Sequence, residues 1–274
     1  MEKLPNYQSL NRESWNLRTE AHWKGEFYDV EGFIEGKEVL NSIELDLLGD
    51  ISGKKILHLQ CHFGQDSIEL QRRGALVTGV DLSDQAIDKA NELNELCGTS
   101  VNFICCDLYD LPAHLSETFD IVFTSYGTIG WIPDLNKWAA VIAHFLSPGG
   151  TFVFADFHPS VWMFDDDFKE VGYNYFNDGP IVETQTGTYG DKSADFSTTY
   201  VMWNHSVSEL FNALTDSKIN VKELHEFDYS PYDCFRHTEE FETGKFRIKH
   251  LGNRIPMVLA LKAINTEGNI EHGA

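Results

Sequence analysis

Two acidic residues and one glycine carry the first chemical signal in this chain. An apolar run ILHLQ (residues 56–60) leads into the turn CHFGQD (61–66); a second run, VTGVDLS (77–83), holds Asp81, and a third, VNFICCDL (101–108), holds Asp107. In doubly wound folds a carboxylate roughly 20 residues past a glycine-bearing strand-to-helix turn reaches a ribose hydroxyl. Asp81 follows Gly64 by 17 residues. Two strands that each end on an acid after such a turn describe a pocket for a nucleoside-containing cofactor; a similar core with a dead pocket is the competing reading.

The turn also says which cofactor. A dinucleotide pyrophosphate needs several glycines so that the backbone can approach it at the helix N-terminus. Here only Gly64 is present, and Cys61, His62 and Phe63 carry side chains into the space a pyrophosphate would fill. S-adenosylmethionine has no phosphate, so a turn with one glycine suffices for it.

The order ILHLQCHFGQD, GVDLS, CCDLYDLP, FDIVFTSYG and LSPGGTFVFADFHP resembles the class I S-adenosylmethionine-dependent methyltransferases over residues 52–158, with completion to about residue 265, and most resembles bacterial small-molecule enzymes of that kind. The resemblance implies that residues 60–64 run along the methionine part, that Asp81 binds the ribose hydroxyls, and that Asp107 and Leu108 flank the adenine. The expected cofactor-binding set is therefore His58, Gln60, Cys61, His62, Gly64, Asp66, Asp81, Leu82, Asp107, Leu108 and Ser125. The chain departs from the family pattern at His58, where an acid is usual, and at Gln60 and His62, where glycines are usual.

Methyl transfer from a sulfonium is an in-line displacement with a neutral leaving group, so alignment and a dry cleft do most of the work. A base is needed only when the nucleophile must lose a proton. Tyr126 and His158, after the fourth and fifth strands, are the candidates, with shaping of the pocket as the alternative role for each. The segment TSYGTIGW lacks the Asn/Asp-Pro-Pro-Tyr type motif of amino-methylating enzymes. His58 and His62 are spaced H-x-x-x-H, but on a strand and its turn that spacing does not converge two imidazoles on zinc, and no metal is expected. Trp131 and Trp162 flank the inferred cleft, either to stack on an acceptor or to fill the core.

The elements that must position these groups follow from periodicity. Strand and helix alternate through residues 51–265, which implies a doubly wound α/β fold: a mostly parallel seven-stranded sheet with an antiparallel last strand. Ser83 and Asp134 are placed to cap helices, and Ser206 with Glu209 forms a capping box. Residues 1–50 read as an N-terminal helical cap, either over the cleft or against the outside of the sheet. Periodicity fails over 157–203, which hold eleven of the 35 aromatic residues. So many rings directly after a strand end suit a lid or substrate pocket, and residues 158–204 are taken as that insert. The strands INVKELHEFDY and IPMVLALKAIN are expected to be joined by a polar loop over 230–254, and 266–274 to be a frayed tail.

Composition excludes several classes. With 21 Lys and Arg against 43 Asp and Glu the net charge is -22, a field that repels nucleic acid. The acidity serves solubility or attracts cationic substrates. Five cysteines without a C-x-x-C pair suit a reducing compartment. No signal-peptide pattern or 18-residue apolar run occurs, so a soluble cytoplasmic protein is expected, with a small-molecule acceptor as partner and neither nucleic acid nor membrane. The alternatives to a methyltransferase are a non-catalytic cofactor-binding module and an NAD-dependent oxidoreductase on a similar core.

Overall fold

Seven strands form one sheet in the order β3-β2-β1-β4-β5-β11-β8: β1 Lys55–Leu59, β2 Leu76–Asp81, β3 Asn102–Cys105, β4 Phe119–Ser125, β5 Leu146–Phe157, β8 Ile219–Phe227 and β11 Val258–Asn265. The computed structural model describes residues 6–191 and 194–266; the expected tail beyond 266 lies outside the described residues. Strands β1 to β5 pair in parallel, and β11 runs antiparallel to both β5 and β8, as the sequence pattern implies. Side chains alternate across the sheet with the period of two that a strand imposes. On β5, Phe152 and Phe154 enter one core layer and Val153 and Ala155 the other.

Each layer is closed by helices whose apolar stripes face the sheet. Helices α6 (Leu135–Phe145) and α7 (Val207–Asp216) cover one face with Trp138, Ile142, Phe145, Leu210 and Leu214. Helices α3 (Ser42–Leu48), α4 (Gln65–Arg72) and α5 (Asp84–Leu96) cover the other with Ile43, Leu47, Ile68, Leu70 and Leu93. The caps fall where side-chain chemistry puts them: Ser83 accepts from Ala86 N, Asp134 from Asn136 N and Lys137 N, and Ser206 from Glu209 N. Among the described residues no helix is long and apolar enough to cross a membrane.

The strand order reverses between β1 and β4, so the carboxyl ends of β1, β2 and β4 open a crevice at that switch point. Helix α1 (Tyr7–Lys24) lies over it, followed by the short α2 (Val30–Ile34).

Two segments depart from expectation. The insert contains a hairpin, β6 (Ile181–Thr186) with β7 (Ser197–Met202), joined to α1 by reciprocal bonds between the Asn11 side chain and the Val201 backbone. Its strands hide because apolar pairing is confined to one end, Ile181 with Met202 and Val182 with Val201, while the other end pairs hydroxyls, Thr184 with Thr199 and Thr186 with Ser197. The supposed polar loop over 230–254 holds a second hairpin, β9 (Thr238–Glu242) with β10 (Lys245–Ile248).

Candidate active site at the switch point

The β1–α4 turn keeps a glycine-like backbone at two residues that are not glycine. Gln60 and His62 have φ of 55° and 50°, in the left-handed region, and Gly64 follows at 80°. A non-glycine residue there costs about 1–2 kcal/mol, and such strain gathers at functional sites. The turn is held by Asp81, whose Oδ2 accepts His62 N–H at 2.8 Å while Oδ1 accepts Ser83 N–H at 2.9 Å. Burial pushes the Asp81 carboxyl up, and these N–H groups pull it partly back.

Helix α1 roofs the crevice with a polar face. Its buried residues are Asn11, Ser14, Arg18, Thr19 and His22, a stripe at helical spacing in which the usual apolar side chains are replaced. Near one end Gln8 donates to Asp107 Oδ2 at 2.8 Å, Arg12 donates to Leu82 O at 3.2 Å, and Asn16 accepts the Ser83 hydroxyl at 2.6 Å. A cavity of about 420 Å³ lies there, lined by Gln8, Arg12, Leu82, Cys106 and Asp107 among others. Farther along, Trp15 packs on His62 with ring centroids 5.2 Å apart. His22 Nδ1 meets His62 Nε2 at 3.0 Å, and His22 Nε2 meets Thr188 Oγ1 at 2.6 Å. Burial, followed by the neighbouring positive groups, lowers His22 to about 2 and His62 to about 3, so both are neutral near pH 7. Among the described residues Gln60 Oε1 and His62 Nδ1 are buried without a hydrogen-bond partner.

The third wall comes from β4 and the segment after it. Ser125 Oγ donates to Asp66 Oδ2 at 2.8 Å and lies 3.5 Å from His58 Nε2, while His58 Nδ1 meets Ser67 Oγ at 2.8 Å. The family's usual acid at position 58 is thus replaced by a buried neutral imidazole, and a carboxyl arrives beside it from α4. Burial raises that Asp66 carboxyl to about 6. Tyr126, at φ 26°, donates its hydroxyl to Glu44 Oε2 at 3.0 Å. Glu44 Oε1 takes Asn41 N–H at 2.7 Å, and the Tyr126 ring stands 5.0 Å from Tyr232. Asp156 fixes the next residues by accepting the N–H groups of Gly127, Thr128 and Ile129.

Glu44 has no accessible surface, and burial raises it to about 7. A carboxyl raised in the folded state holds a proton that the unfolded chain releases. Its stabilising contribution is therefore complete below the ordinary value of 4.5 and is lost as the pH rises through about 7. Glu44→Gln removes that dependence. In urea unfolding the variant gains on the wild type between pH 4 and pH 8 by up to about 3 kcal/mol; parallel stability curves would refute the assignment.

The expected site residues separate into groups. Gln60, His62, Gly64, Asp66, Asp81, Ser125 and Tyr126 converge on the switch point, and Leu82 and Asp107 meet α1 at its other end. His58 and Cys61 are buried behind the turn, and Leu108 packs in the α6-side core. The polar contacts of His158 lie away from the turn: Nδ1 meets Ser160 Oγ at 2.9 Å, and Nε2 lies 2.9 Å from Glu226 Oε1. Sequence reasoning missed Arg18, His22, Glu44 and Asp156. The polar stripe of α1 was the available signal for the first two.

Residues 56–150 match a family model described as a methyltransferase domain. The chain is 34% identical over 133 residues to an uncharacterized methyltransferase of Synechocystis sp., covering 48% of this chain and 60% of that protein. It is 25% identical to a ubiquinone biosynthesis O-methyltransferase of Saccharophagus degradans, covering 57% and 68%. The chain spans roughly three-fifths to two-thirds of the length of the curated relatives it matches. Among solved structures, an S-adenosylmethionine-dependent methyltransferase from Mesorhizobium loti aligns with TM-score 0.54 at 22% identity, covering 80% of this chain and 94% of that one. Geranyl diphosphate methyltransferase aligns with TM-score 0.54 at 16% identity, covering 81% and 75%. At these identities the structural likeness is one of fold.

Proposed function

Starting from a chain that carries a class I S-adenosylmethionine-dependent methyltransferase domain, we propose that it methylates a small molecule by in-line displacement and that the acceptor atom is a hydroxyl oxygen. The crevice at the switch point carries the reading: carboxylates at the end of β2 and just after β3 on one side, a phenol hydrogen-bonded to a buried carboxyl on the other. S-adenosylmethionine supplies, when bound, a methyl group activated on a sulfonium.

The residues present suit that cofactor. Asp81 keeps lone pairs free beyond its two backbone N–H bonds and would accept the ribose hydroxyls. Leu82 and Asp107 border the cavity and would receive the adenine. Gln60 Oε1 and His62 Nδ1, sealed without partners, would meet polar atoms of the amino-acid end. The neutral imidazoles of His22 and His62 add no positive charge of their own near a sulfonium.

A hydroxyl acceptor must shed a proton as it attacks. Tyr126 is the group placed to receive it, passing its own phenolic proton to Glu44, whose raised affinity for a proton suits it as the sink. The O-methyltransferase names among the relatives agree with an oxygen nucleophile. Tyr126→Phe is expected to lower kcat about a hundredfold while S-adenosylhomocysteine affinity stays within about threefold; an unchanged kcat would leave the tyrosine only a shaping role.

The reading itself is tested with methyl-labelled S-adenosylmethionine and a panel of small hydroxylated, amine and thiol acceptors. Label on hydroxylated compounds supports it. Tight S-adenosylhomocysteine binding without any transfer would favour a binding module, and NADH binding without S-adenosylhomocysteine binding would favour an oxidoreductase.

A further inference from the structure

Asp156, 1% exposed near the end of β5, is ringed by hydrogen-bond donors. Its Oδ1 accepts the N–H of Gly127 and, at 2.6 Å, that of Phe157. Its Oδ2 accepts Thr128 N–H at 2.8 Å, the Thr128 hydroxyl at 2.8 Å and Ile129 N–H at 3.1 Å. Every partner is a donor, so both oxygens act only as acceptors. Four of these five bonds go to residues 127–129, the backbone that follows β4.

That backbone begins at Tyr126. At φ 26° the tyrosine sits in the left-handed region, which a bulky residue occupies only when its surroundings hold it there. The peptide before Tyr126 is fixed by its N–H, which donates to Ala155 O at 2.7 Å. The peptide after it is fixed by Gly127 N–H on Asp156 Oδ1. Two consecutive residues of β5 thus set both backbone torsions of Tyr126, and with them the direction of its Cα–Cβ bond. The phenol so directed reaches Glu44 Oε2 at 3.0 Å. The same loop also reaches the β1–α4 turn, where Thr128 O accepts Gln60 Nε2 at 2.9 Å.

We propose that Asp156 is a positioning residue for methyl transfer: it holds the 126–129 backbone so that the Tyr126 phenol stays directed at Glu44. This rests on the reading above, in which Tyr126 receives the proton of a hydroxyl acceptor. An uncharged side chain of the same shape cannot replace it, because asparagine would set its own N–H groups against one or more of these donors.

A double-mutant cycle on kcat tests it. Asp156→Asn should lower kcat by about 30-fold in the wild type but by no more than about threefold in the Tyr126→Phe background, with the dissociation constant of S-adenosylhomocysteine within about fivefold. Thr128→Val, which removes one donor and perturbs the fold less, should show the same pattern at about fivefold. Equal losses in both backgrounds would overturn the proposal, leaving Asp156 a support of the fold alone. So would a loss of S-adenosylhomocysteine affinity as large as the loss of kcat. A readout free of turnover comes from 3-fluorotyrosine at position 126. Its fluorine resonance should follow the titration of Glu44, which burial places at about 7, an inflection that Glu44→Gln assigns by removing it. Asp156→Asn should abolish the inflection, and its persistence would count against the proposal decisively. If the wild type methylates no hydroxylated acceptor while the inflection still depends on Asp156, the reading of Tyr126 as proton acceptor is what fails, and the role of Asp156 in transfer fails with it.

Discussion

Asp81→Ala should lower the affinity for S-adenosylhomocysteine by at least about a hundredfold, close to 3 kcal/mol. The residue acts twice. On the function proposed above, its carboxylate at the end of β2 would accept two ribose hydroxyls, each a charge-assisted bond. It also holds the β1–α4 turn through His62 N–H and the start of α5 through Ser83 N–H. Alanine deletes both functions, so the fold should lose a further 1–2 kcal/mol, roughly, in urea unfolding. Asp81→Asn separates them: one amide oxygen still serves one backbone N–H, and binding should suffer more than stability. Calorimetry on a variant shown to be folded by circular dichroism decides the matter, and an unchanged dissociation constant would remove Asp81 from the site.

The second large effect concerns the turn glycine. Gly64 has φ +80°, and a Cβ there would lie 2.5 Å from Phe103 Cζ, 2.7 Å from Phe103 Cε1 and 3.2 Å from Ala90 Cβ. Gly64→Ala therefore combines left-handed strain with a clash in a packed layer, together about 3 kcal/mol. Because Phe103 is the obstruction, Phe103→Leu in the same chain should return about 1 kcal/mol or more beyond additivity. Urea midpoints of the four species measure the coupling. A loss below about 1 kcal/mol in the single variant would mean that the layer yields more easily than its packing suggests.

The sequence reading was strongest where one residue type has one physical use. Ser83, Asp134 and Ser206 mark helix starts because their side chains suit the orphan N–H groups there, and all three are found capping. Asp81 stands at the end of β2 beside the turn because the spacing of a strand-turn-helix unit leaves little choice. Legibility ended where partners are distant in sequence. Glu44 and Tyr126 are 82 residues apart and meet only through the packing of α3 on the sheet. Asp156 reads as part of an apolar strand, yet turns back on the backbone of 127–129. Helix α1 falls within the stretch 1–50 that reads as helical, but its buried face is polar, so apolar periodicity gives no sign of what that face covers. His158 follows a strand end, as a catalytic group would, and the pairing of β11 with both β5 and β8 brings Glu226 beside it.

The Asn11–Val201 clasp makes α1 and the β6–β7 hairpin a single moving part. On the function proposed above, spent cofactor would leave only once the bonds from Gln8, Arg12 and Asn16 give way and this joint roof lifts, a release step remote from the reacting atoms.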